Sequence, residues 1–266
     1  MRDNCLEAGR TGRRHSPLVL ALKTLLALAV ALALAVGALG LYWGLRPNDS
    51  RVDPALDIEH WAAVSDGRHN SNTDLIYWRD AFYLIHASSP WHFASEDCRL
   101  VLWRSVDART WSQTTTFHVP GQDIRDPKFA PIGKRLFIYV LKNVSFDAEP
   151  YTTAYTSSTD GVSWEPLSDI DNEGWLFWRP KTRDGERWFV PAYWHEHGKS
   201  ILLSSTEGVT WSEVSVIYEG DRNDETDITF LDDGRILATA RLEVSGSYFG
   251  HPDACTLLAA APPPYT

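Results

Sequence analysis

Four short segments, Asn72-Thr73-Asp74, Arg125-Asp126-Pro127, Trp178-Arg179-Pro180 and Glu225-Thr226-Asp227, each place charged or amide side chains beside an apolar run. Carboxylates gathered from such segments could cleave a glycosidic bond, one giving a proton while another serves as base or nucleophile. A guanidinium could fork a substrate carboxylate, and aromatic rings could line a sugar-sized cleft. The candidate catalytic residues on this reading are Asp74, Asp126 and Glu225. Arg179, Arg68, His69, Trp178 and Tyr193 are candidate substrate-binding residues, with His86, Trp91, His92, Trp194, His195 and His197 in the surrounding segments. No Cys or His spacing suggests a zinc or haem site, so neither a metal nor a cofactor is expected.

Something must bring residues so far apart in sequence to one place. The stretches Thr73–Ala87, Asp126–Val140, Arg179–Ala192 and Thr226–Ala240 each read as strand, turn and more apolar strand. Their equivalent positions Phe82, Leu136, Trp188 and Ile236 are 54, 52 and 48 residues apart. A second pattern runs in phase: SVDARTW, STDGVSW and STEGVTW at Ser105–Trp111, Ser158–Trp164 and Ser205–Trp211, with tryptophans 53 and 47 residues apart. Each of these turns joins two β-runs, and its Ser and Asp side chains can bond nearby backbone N–H groups. The tryptophan is expected to bury against its own sheet. Four antiparallel strands in about 50 residues make a propeller blade. The predicted fold is all-β, with the charged segments entering the innermost strands and converging on the mouth of a central channel.

The beginning of the chain has another character. Residues 1–16 are basic, 17–45 form an apolar run without charge after Lys23, and 46–58 read as a polar linker before a propeller domain over 59–266. The run matches the bilayer core in length, and the basic residues precede it. A signal anchor with the propeller outside is expected, at the cell membrane; a cleaved signal peptide, leaving a secreted domain, stays open. The chain carries a net charge of −10, although residues 1–46 are net positive, so the exported part is strongly acidic. That excludes nucleic acid as a partner and leaves a glycan or glycoconjugate, with the membrane as the second partner. Of the three cysteines, Cys98 and Cys255 would lie outside, either bridged or as two buried thiols.

These turns resemble the Asp-box of the sialidase superfamily, although Ala108 stands where the other copies have Gly161 and Gly208, and Glu207 replaces Asp. The likeness covers about residues 60–266 and is strongest from Trp188 to Arg241, where Val190-Pro191-Ala192-Tyr193, an Asp-box, Glu225, Asp232-Asp233-Gly234 and Arg241 follow in sialidase order. It implies a six-bladed parent fold of which about four blades are present, and roughly 100 further residues for closure. It also implies that Glu225 partners a catalytic tyrosine and that Arg241 grips a substrate carboxylate. The sequence departs from the family at Asn70-Ser71-Asn72-Thr73, where an Arg-Ile-Pro is expected. The implied function is a membrane-tethered sialidase-like hydrolase. The alternatives are a non-catalytic propeller that binds glycan or protein, and a five-bladed glycosidase whose acids are Asp74, Asp126 and Glu225.

Overall fold

The computed structural model describes residues 16–45, 56–92, 94–143, 152–243 and 256–266. Contacts divide the chain into two units, Met1–His60 and Trp61–Thr266. In the first, helix α1 spans Pro17–Leu45. Ser16 caps it, its hydroxyl accepting from Val19 N at 3.3 Å, and Pro17 occupies the first helical position, where a missing N–H costs nothing. The helix is apolar on every side and long enough to cross a membrane. Cys5 and Cys255 lie outside the described residues; Cys98 is a buried free thiol.

The second unit is a four-blade β-propeller. Blade 1 is β1 (His69–Trp78), β2 (Ala81–Ser89), β3 (Arg99–Ser105) and β4 (Ser112–Phe117), paired antiparallel in that order. Blade 2 is β5 (Asp123–Ile132), β6 (Arg135–Asn143), β7 (Thr152–Ser158) and β8 (Ser168–Asp169). In blade 3 the inner strand is broken into β9 (Trp175–Phe177) and β10 (Lys181–Thr182), both paired with β11 (Trp188–Trp194), followed by β12 (Lys199–Ser205) and β13 (Ser212–Glu219). Blade 4 is β14 (Asn223–Phe230), β15 (Ile236–Leu242) and β16 (Thr256–Ala261).

The core sits in the seams between blades. Ile85, Leu100, Ile124, Leu136 and Ile138 fill the first seam; Phe137, Tyr139, Phe177, Val190 and Leu203 the second; Phe189, Leu202, Ile228, Ile236 and Tyr265 the third. The expected docking of each tryptophan on its own sheet is therefore corrected. Trp164 stands edge-on to Phe117 of the preceding blade, centroids 5.9 Å apart, and Trp211 meets Tyr139 of blade 2 at the same distance. The turn backbone follows: Tyr139 Oη donates to Gly208 O at 2.6 Å, and Gly161 rests on Tyr83. At the first turn the contact comes from Trp61, which donates to Ala108 O at 3.2 Å with Arg109 over its ring. Beyond β16, Tyr265 is seated in the third seam, its hydroxyl donating to Gly234 O at 3.0 Å.

Within the second turn, Asp160 accepts from Val162 N and Ser163 N at 2.8 Å each. The bonds from Ser163 and Val162 hold this exposed carboxyl far below the usual range. Glu207 is longer and accepts from Thr210 N. Gly161 has φ +76° and Gly208 +85°, while Ala108 adopts +56° with a side chain, a conformation that costs roughly 1–2 kcal/mol for a non-glycine residue.

Three outcomes follow from these turns. Ala108→Gly should stabilise by about 0.5–1 kcal/mol, the relief of strain exceeding the added chain entropy. Gly161→Ala should destabilise by at least about 2 kcal/mol, since its Cβ meets the Tyr83 ring; urea titration of the full chain in detergent measures both. Asp160→Asn should lower Tm at neutral pH. Because the folded pKa is depressed, that stabilisation is present above the unfolded value of 3.8 and fades as pH falls below it, so the two Tm curves should converge in acid.

Candidate active site in the propeller channel

Every inner strand is irregular at the same place. The pairing register shifts between Ser71 and Asp74 in blade 1, between Arg125 and Lys128 in blade 2, and between Asn223 and Thr226 in blade 4. In blade 3 the equivalent irregularity is the Trp178-Arg179-Pro180 break. A bulge leaves residues out of the ladder and re-aims their side chains. The charged segments thus lie inside the innermost strands, two to five residues after their starts, rather than ahead of them. Asn72 and Asp126 hold φ values of +49° and +50°, a conformation that Asn and Asp tolerate better than other side chains. The register also separates two faces. Ser105 pairs with Phe82, which pairs with Tyr77 near the end of β1, so the tryptophan turns lie at the opposite strand ends from His69, Asp123, Trp175 and Asn223.

The bulges join in one network. Asn72 Nδ2 donates to Asp126 Oδ1 across the first seam. Asp74 is buried, and its carboxylate accepts from Arg179 Nη2 of blade 3 at 2.6 Å and from Phe129 N of blade 2 at 2.7 Å. Lys128 is only 5% exposed, and its Nζ lies 4.3 Å from the centroid of the Trp178 ring. Trp178 in turn packs against Tyr193, centroids 6.4 Å apart. Glu225 pairs with Arg241 Nη1 at 3.1 Å. Arg241 also holds the fully buried Asp224 through Nε at 2.8 Å and reaches Glu243 at 3.5 Å.

Burial sets the electrostatics. It raises the Asp74 carboxyl, opposed by the Phe129 N–H and the Arg179 charge. It raises Glu225, opposed by Arg241 and reinforced by Asp224 and Asp126. It lowers Lys128, opposed by Asp126 and Asp74. Asp74, Asp126, Lys128, Arg179 and Glu225 therefore feel one another across four blades. Burial and the neighbouring carboxylates of Asp224 and Asp126 thus make Glu225 release its proton less readily than an exposed glutamate, while its ion pair with Arg241 works the other way.

Other candidates fall outside this ring. Arg68 donates through Nε to Ser88 Oγ at 2.9 Å, and His69 pairs with His92 at 3.1 Å at the start of blade 1. His86 is buried in β2, with Trp103 Nε1 donating to its Nε2 at 3.0 Å, so it is a blade residue rather than a mouth residue. His197, Asp224 and Glu243 bring ligand atoms within 4.8 Å of one another, but the Arg241 guanidinium already supplies the positive charge there. Lys128 and Asp224 were not among the expected site residues. The available signal for Lys128 was a lysine two residues after Asp126, immediately before the apolar run Phe129–Ile132.

No protein-family model and no curated protein matches the chain. Solved structures share its fold. The Hadza microbial sialidase Hz136 is 12% identical with a TM-score of 0.54, over 72% of this chain and 44% of that one. The GH43 beta 1,3 galactosidase BT3683, solved with galactodeoxynojirimycin, is 9% identical with a TM-score of 0.53, over 73% and 76%. The Bombyx mori GH32 beta-fructofuranosidase BmSUC1 is 16% identical with a TM-score of 0.52, over 73% and 46%. The chain spans under half the length of the sialidase and the fructofuranosidase. At these identities the likeness is one of fold: the chain has the β-propeller architecture that these glycoside hydrolases use.

Asp74→Asn leaves an acceptor for Phe129 N but withdraws the charge facing Arg179. Since Arg179 is partly exposed, the expected loss is about 1–2 kcal/mol, read by urea titration of the full chain in detergent.

Proposed function

We propose that the chain is a glycoside hydrolase working at the channel, with Glu225 as general acid and Asp126 as the facing carboxylate. One observation carries the reading: the carboxylates of Asp74, Asp126 and Glu225 come from three blades, and the charge of each acts on one buried lysine, Lys128. Asp74 is bonded on both oxygens and serves to fix Arg179 and blade 2. Glu225 keeps its proton to higher pH than an exposed glutamate, as a group that protonates a leaving oxygen must. Asp126, steadied by Asn72, is free to act on water or on the anomeric carbon. Trp178 and Tyr193 would line the sugar site. Asp74, Asp126 and Glu225 are the acids of the expected five-bladed glycosidase alternative. The sialidase-type reading needs a tyrosine beside Glu225; the partner that Glu225 has among the described residues is Arg241, at 3.1 Å. Helix α1 would tether the enzyme to a membrane, with the propeller on the outer side.

The test is hydrolysis of aryl glycosides by the full chain in detergent. Glu225→Gln should reduce kcat/KM about 10²–10⁴-fold for poor leaving groups, spare dinitrophenyl glycosides, and remove the basic limb of the pH profile. That limb should lie above the ordinary glutamate range because burial raises the acid. Asp126→Asn should abolish both classes of substrate. A propeller that binds sugars without turnover of any glycoside would show the hydrolase reading to be wrong.

A further inference from the structure

Blade 1 carries an apolar sheet face that no seam takes up. Residues directly opposite one another in an antiparallel sheet share a face. The register sets Tyr77 opposite Phe82, Leu75 opposite Leu84, Leu84 opposite Trp103, and His86 opposite Val101. Leu75, Tyr77, Phe82, Leu84, Val101 and Trp103 therefore lie on one side of the sheet, and none of them joins a core cluster. Leu75 is 57% exposed and Tyr77 59%. The other side, with Tyr83, Ile85 and Leu102, fills the first seam.

The repeat shows what kind of surface belongs there. Phe82 is the equivalent of Leu136, Trp188 and Ile236, each of which is buried against the sheet of the blade before it. The blade 1 side is thus built to receive an apolar sheet. Among the described residues, the sheet sides outside the three seams are this one and the far side of blade 4. The latter is polar, carrying Asp227, Thr229, Thr239 and Arg241, which leaves blade 1 itself as the matching surface. Its polar atoms are already spent: Trp103 Nε1 donates to His86 Nε2 at 3.0 Å, and Tyr77 Oη to Asp80 at 3.3 Å. None of the six side chains is charged, whereas the propeller as a whole is strongly acidic. Two copies repel one another over most of their surface, and least at this face.

We propose that blade 1 packs face to face on blade 1 of a second copy, giving a twofold dimer. Such an interface is self-complementary, the commonest kind in soluble oligomers, and two apolar sheet faces stack as in a sandwich. Leu84 is at the centre of the contact, with Tyr77 and Trp103 as its aromatic anchors. The inference stands apart from the hydrolase reading, since none of these residues belongs to the channel ring.

The oligomeric state of the full chain in detergent tests it, measured by sedimentation over a concentration series. The chain should be a dimer, and Leu84→Asp should weaken association on the order of 100-fold while leaving Tm close to that of the parent. Two copies can also meet through α1 or through blade 4, so a second measurement locates the contact. Leu75→Cys or Leu258→Cys is placed in a chain carrying Cys5→Ser and Cys255→Ser, reconstituted in liposomes and treated with a bis-maleimide. Leu75→Cys should cross-link to itself, and Leu258→Cys, on β16 of blade 4, should not. A monomeric parent, a Leu84→Asp protein that stays dimeric, or cross-linking at Leu258 without cross-linking at Leu75 would overturn the proposal. If Leu84→Asp does not fold, the cross-linking decides alone.

Discussion

The arrangement of the ring depends on the carboxylate of Asp74 being taken out of water and fully employed. It accepts from the Phe129 N–H of blade 2, from Arg179 of blade 3 and from the Leu75 N–H of its own strand. A buried carboxylate must be bonded or neutralised, and these three bonds come from three separate blades. Moving any one of the three leaves a charge or a donor unpaired in the interior. The position of Arg179, and through it the surroundings of Trp178 and Lys128, follows from that requirement. In blade 4 the half-exposed Asp227 also links two blades, accepting from Ile228 N and from Lys181 of blade 3.

The seams carry the rest of the folding energy. Because apolar faces meet between blades, each blade is stabilised by its neighbours rather than by a core of its own, as in other repeat architectures. The tryptophan turns fit this scheme. Their serine and aspartate side chains satisfy the turn from within, while the glycine and the indole reach across to the preceding blade. Trp61 supplies for the first turn the aromatic contact that Tyr83 and Tyr139 give the other two.

Much of this was legible in the sequence. The period, the phase and the strand assignments follow from alternating apolar runs and from turn residues, which are local signals. Asp74, Asp126, Arg179 and Glu225 could be placed on equivalent inner strands because the repeat fixes their phase. Their pairing could not, since it depends on which donors meet across a channel. The bulges were invisible for a related reason: a one-residue register shift leaves composition unchanged, and it shows only in the pairing and in the positive φ of Asn72 and Asp126. Trp164 and Trp211 were placed on the wrong partner because sequence shows that a tryptophan will be buried, not which side of a sheet has room. His86 misled for the opposite reason. Its indole partner, Trp103, sits on a different strand and turns a titratable residue into packing.

The bulges also bear on how such a protein can change. Regular ladder pairing resumes on both sides of each irregularity, so the residues that project into the channel are insulated from the strand register. A substitution there alters one contact of the ring without asking the sheet to slip. Each blade behaves as a socket for its own bulge, so the strand register can stay fixed while the residues at the tip change, provided the bonds of Asp74 are kept.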